Sequence, residues 1–143
     1  MGNIKIEKMV LGMVQTNTWF VINEKTKELI LIDPADDAGR IIRKIEADGL
    51  KLQGILLTHG HFDHIGAVGE LVRQFHCEVY VHPADQVLLE DETLNGMAGM
   101  TAHVRTQTTP LMEGTMKLGQ IELQILEAPG HTPGSVLIVI GQD

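Results

Sequence analysis

The stretch from Leu52 to Phe75 limits the possible folds more than any other part of the chain. Leu52 to Thr58 is a short apolar run of strand length, the kind buried on both faces of a mixed or parallel sheet. Ile65, Val68, Leu71, Val72 and Phe75 then recur with the 3.6-residue period of a helix. Between them lies Thr58-His59-Gly60-His61-Phe62-Asp63-His64. A strand, a polar loop and a helix in that order make half of a βαβ unit. In open α/β sheets, ligands bind at the loops beyond the strand ends.

The residue types in that loop are metal ligands. His59 and His61 are two apart, so in an extended segment they point the same way. Imidazole nitrogen suits zinc and is also used for iron and copper. The carboxylate of Asp63 can bind a second metal or take a proton from bound water. A tag or a chance polar turn is the competing explanation. A tag would sit at a terminus, and a chance turn would rarely lie between so clear a strand and helix.

A second element is Ala128-Pro129-Gly130-His131-Thr132-Pro133-Gly134-Ser135. Its prolines restrict the backbone and its glycines allow tight turns, so His131 is framed as a rigidly held ligand at a strand end. His59, His61 and His131 together would leave one coordination position open for water, which is a catalytic rather than a structural arrangement. A metal so held lowers the pKa of its water to ~7, and hydroxide becomes available for esters, thioesters, lactones or amides.

The rest of the chain supplies the frame. Ile4 and Ile6 alternate with polar residues, as in an edge strand. Thr18 to Asn23 and Glu28 to Ile32 read as a hairpin around Glu24-Lys25-Thr26-Lys27, and Asp33-Pro34 stops the second strand. A helix with Ile41, Ile42 and Ile45 on its apolar face runs from a cap at Asp36 or Asp37 to Gly49. Glu78 to His82 is a strand, and Ala84 to Glu90 a short helix. Residues 91 to 109 are read as irregular, a lid or binding loop. Strands follow over Thr115 to Leu118, Ile121 to Glu127 and Val136 to Ile140.

Length and charge bound the rest. The 143 residues suit one domain. With 11 basic and 19 acidic residues the net charge is −8, and no basic cluster favours nucleic acid. The single cysteine, Cys77, excludes an internal disulfide and is read as a small core residue. Met9 to Val14 is too short for a signal or a membrane span, so a soluble cytoplasmic protein without membrane contact is expected. His76 and His82 are read as structural. His103, Met97 and Met100 are read as loop residues and Trp19 as core.

With these residues in place, the chain resembles the metallo-β-lactamase superfamily. Residues 58–64 match the pattern T-H-x-H-x-D-H at every fixed position, which is highly specific for the superfamily. Pro129 to Ser135 resembles the glyoxalase II (hydroxyacylglutathione hydrolase-like) branch, with moderate specificity. Thr16-Asn17-Thr18, Leu31-Ile32-Asp33-Pro34 and Val81-His82-Pro83 extend the likeness over nearly the whole chain.

The resemblance implies an α/β fold, the four-layer αββα sandwich, with a two-metal site on its rim. His59, His61 and His131 would bind the first metal, and Asp63 and His64 the second. Asp63 would also be the catalytic residue. Asp33, beneath the site, would orient the histidine loop. The expected cofactor is zinc, one or two ions, with iron or manganese as alternatives. The substrate would be a small thioester of glutathione type or a related ester.

The likeness has one departure. Family members continue past this point with more of the second sheet, its helices, a bridging aspartate and a last histidine. The chain is therefore read as a single, incomplete domain, truncated at its C-terminus. Its second metal site is expected to be weak, and its C-terminal strands are expected to associate with another copy. An iron-dependent sulfur dioxygenase of the same fold and a metal-binding fragment without turnover are the alternatives to the hydrolase.

Overall fold

The computed structural model describes residues 4–11, 16–34, 37–58, 68–83, 108–127 and 136–140. Strand β1 (Ile4–Leu11) pairs antiparallel with β2 (Thr16–Asn23), which pairs antiparallel with β3 (Glu28–Ile32). The β2–β3 turn is fixed locally, because the Asn23 side-chain oxygen accepts from the backbone N–H groups of Lys25 and Thr26. Helix α1 (Ala38–Asp48) then returns the chain to β4 (Lys51–Leu56), parallel to β3. Asp37 accepts from the Arg40 N–H at the helix start, and Gly49, at φ 63°, ends it.

Helix α2 (Val68–Phe75) precedes β5 (Glu78–Val81), parallel to β4. His76 closes α2 in the left-handed conformation, with φ 54° and its N–H on the Val72 carbonyl. Strand β6 (Thr108–Pro110) adds in parallel to β5, giving a six-stranded sheet in the order β1-β2-β3-β4-β5-β6. A second, three-stranded antiparallel sheet contains β7 (Gly114–Leu118), β8 (Ile121–Glu127) and β9 (Val136–Ile140).

Period-two alternation divides the core in two. Phe20, Ile22, Leu29, Leu31, Ile55 and Leu57 face the helices and pack on Ile41, Ile45 and Leu71. Val21, Ile30, Ile32 and Leu56 face the other way and pack on Ile121, Leu123, Ile125 and Val136 of the second sheet. Strand β3 is covered on both faces, which is why it carries no polar residue after Glu28. The described layers are therefore helices, sheet and sheet, three of the four in an αββα sandwich.

Two expectations from the sequence are corrected. Residues 108 and 109 belong to β6 rather than to an irregular loop. The strand is three residues long and ends in proline, so it shows no period; Pro110 is tolerated because β6 is an edge. Trp19 is not core but 36% exposed. It shares the inter-sheet face with Val21, but the second sheet does not cover it there. It lines an open groove of about 270 Å3 with Ile6, Ile32, Ile138 and Ile140, and the Lys8 ammonium lies 5.9 Å from its ring centre.

The turn between β7 and β8 yields a stability prediction. Gly119 has φ 58°, and a Cβ there would fall on the Glu28 carboxylate, which accepts the Gln120 N–H at 2.8 Å. This contact joins the first sheet to the second. Gly119→Ala should cost about 2 kcal/mol, from the left-handed backbone and the displaced hydrogen bond. Urea denaturation measures it, and a loss below ~0.5 kcal/mol would mean the turn relaxes freely.

Candidate metal centre

The parallel strands β3, β4, β5 and β6 all end at one rim of the first sheet, and the first three are followed there by a polar side chain. Asp33 follows β3, Thr58 lies just beyond β4, and His82 follows β5, while Glu113 leads into β7 of the second sheet. The second sheet brings the end of β8 and the start of β9 to the same rim.

Asp33 is the best fixed of these residues. It is 3% exposed and adopts φ 54°, a left-handed conformation that aspartate tolerates better than most residues. Its Oδ1 accepts the Thr58 N–H at 2.7 Å and its Oδ2 accepts the Thr58 hydroxyl at 2.6 Å. Its own backbone is held as well. Its N–H donates to the Leu56 carbonyl at 3.0 Å, and its carbonyl accepts the Thr18 hydroxyl at 2.8 Å. Thr58 is thus gripped by both polar groups it presents to β3.

The third polar group of Thr58 points to the other sheet. Its carbonyl accepts the Val136 N–H at 2.9 Å. Thr58 immediately precedes His59, and Val136 immediately follows the Ala128 to Ser135 stretch that carries His131. The two histidine-bearing stretches therefore spring from one hydrogen-bonded point. Val136 also pairs with Glu127 across the β8–β9 ladder, so both ends of the His131 stretch lie side by side.

His59, His61, Asp63, His64 and His131 themselves lie outside the described residues, as do His103, Met97, Met100 and the helix expected over 84–90. Among the described residues, no three potential ligands converge as a metal site. Cys77 packs against the helix-side core, and burial pushes its thiol up to about 11, which keeps it protonated and unreactive.

Reading the sequence alone missed three participants. Thr58 is visible in the motif, but its double grip by Asp33 depends on a contact 25 residues away. Thr18 supports the Asp33 carbonyl from β2. His82, read as structural, reaches Glu127 on the second sheet at 2.8 Å.

The donors expected from the sequence suit a metal of the zinc or iron type. Imidazoles and carboxylates are its usual ligands. From Val136 back to His131 is five residues, a reach of up to ~17 Å, so His131 can share a point with a residue next to Thr58.

Known proteins identify the family to which this fold belongs. The metallo-beta-lactamase superfamily model matches residues 11–143. The probable metallo-hydrolase YqgX of Bacillus subtilis is 36% identical over 138 residues, covering 93% of this chain and 64% of that protein. Hydroxyacylglutathione hydrolase GloC of Haemophilus influenzae is 31% identical, with 93% and 65% covered. The chain thus spans somewhat less than two thirds of the length of these relatives. The crystal structure of the BLEG-1 B3 metallo-beta-lactamase superposes with a TM-score of 0.90 at 34% identity, covering 95% of this chain and 67% of that one. The structure of TTHA1623 in a di-iron-bound form gives 0.80 at 36% identity, with 94% and 66% covered. On the family match and the strand-end architecture together, the chain belongs to the metallo-beta-lactamase superfamily.

Proposed function

We propose that this chain is a metal-dependent hydrolase of a thioester or related ester, of glyoxalase II type. The observation that carries the reading is the Thr58–Val136 hydrogen bond, which joins the two histidine-bearing stretches at their base. The hydroxyacylglutathione hydrolase among its relatives supports the thioester class. In this reading His59, His61 and His131 hold one metal, and Asp63 and His64 contribute to a second.

A divalent metal held there supplies a water acidic enough to act at neutral pH and a Lewis acid for the substrate carbonyl. The protein's part is placement. Asp33 fixes Thr58, and Thr58 sets where the histidine loop departs. Asp63 would hold a second ion or, with one ion bound, would serve as the base. The rigid seat matters because small displacements of reacting groups cost large factors in rate.

Two measurements on the chain test this: metal content by elemental analysis, and turnover of a thioester panel before and after chelation. Hydrolysis that is lost with chelator and restored with zinc, manganese or iron is expected. A chain that takes up no metal, or one whose hydrolysis ignores chelation, would sink the proposal. Iron content with oxygen uptake in place of hydrolysis would move the assignment to a sulfur dioxygenase, since a similar structure holds two irons.

A further inference from the structure

The geometry points to His82 and Glu127 as positioning residues for the stretch that carries His131. Glu127 is the last residue of β8, so it is the point where the chain leaves the sheet for residues 128–135. Two side chains hold it, His82 from the end of β5 in the first sheet and Glu113 from just before β7 in its own sheet. His82 Nε2 lies 2.8 Å from Glu127 Oε2, and the Glu127 N–H donates to Glu113 Oε2 at 3.1 Å. The other end of the stretch, Val136, is held by the Thr58 carbonyl. Both feet of the His131 stretch are therefore pinned to strand ends of the first sheet, one at β4 through Thr58 and one at β5 through His82.

Magnitudes separate this role from plain stabilisation. The Glu127 side chain is 47% exposed and that of His82 16% exposed. A pair so open to solvent adds little to global stability. Its consequence is geometric. Without it, the foot of the stretch at Glu127 keeps the ladder pairing with Val136 but loses its tie to the first sheet, where the histidine loop starts. A ligand whose supports loosen holds its metal less well, typically by 10–100-fold.

The inference rests on the reading that His131 is a ligand, and the experiment treats the two separately. Zinc affinity is measured by competition with a chromophoric chelator, and the metal-free melt is recorded for each protein. H82A should bind zinc roughly 10–100-fold more weakly, with a metal-free melt close to that of the parent. H82Q, whose amide can still donate to Glu127, should recover most of the loss. E127L removes the same bond from the exposed side and should match H82A; it carries the test should H82A fail to fold. H131A calibrates the site. If H131A weakens zinc binding while H82A and E127L leave it unchanged, the positioning role is wrong and the ligand reading stands. If H131A binds zinc like the parent, the ligand reading fails and takes the inference with it.

Discussion

Replacing Asp33 by alanine should destabilise the chain by about 3–4 kcal/mol, a large share of the ~5–15 kcal/mol typical of a domain. The carboxylate is buried and accepts two hydrogen bonds from one residue, the Thr58 N–H at 2.7 Å and its hydroxyl at 2.6 Å. Truncation leaves both donors of the half-buried Thr58 without their acceptor, at about 1–1.5 kcal/mol each, the low end of the range for a buried group. Alanine at φ 54° adds about 1 kcal/mol. The same change frees the residue before His59, so zinc affinity should also fall, by roughly 10–100-fold.

The substitution Asp33→Asn offers a discriminating control. An asparagine tolerates the left-handed backbone, its oxygen can accept the Thr58 N–H, and its amide can donate to the hydroxyl. Asp33→Asn should therefore keep most of the stability. Urea denaturation and chelator competition on both variants decide the matter. Asp33→Ala with less than ~1 kcal/mol lost and unchanged zinc affinity would show that Thr58 is held by the sheet alone.

Asp33 also marks the boundary of what the sequence can reveal. Local patterns were fully legible. The hairpin follows from Asn23 and its turn, α1 from Asp37 and Gly49, and β8 from strict alternation, with Ile121, Leu123 and Ile125 buried and Glu122 and Gln124 exposed. The histidine loop announces its chemistry through residue type and spacing.

What the sequence could not show depends on partners far apart in the chain. Strand β6 exists because β5 offers it an edge, not because Thr108-Thr109-Pro110 favours a strand. Trp19 is apolar and on the inward face, and only the reach of the opposing sheet leaves it open. His82 meets Glu127 across 45 residues, and neither carries a local signal. The family likeness placed Asp33 beneath the site; the atoms it grips came only with the fold.

The largest effect on metal binding is expected from His59→Ala combined with His61→Ala. The two histidines are two of the three proposed ligands of the first metal, and outer supports alone are worth 10–100-fold in affinity. Losing both imidazoles should weaken zinc binding by well over ~100-fold. The clearest readout is stability. A metal that binds the folded chain raises its stability by RT ln(1 + [L]/Kd), about 2.7 kcal/mol at a hundred times Kd.

The parent chain should melt several degrees higher with zinc than without, and the double variant should show no such rise. The metal-free melt of each protein is its own baseline, and the zinc-dependent rise above it is what is compared. His76→Asn is the matched control, since His76 caps α2 in a left-handed conformation that asparagine also adopts. That variant should keep the full zinc-dependent rise. A double variant that still gains stability from zinc would place the metal elsewhere in the chain. A His76 variant that loses the gain would show that the response reports on helix packing rather than on the rim.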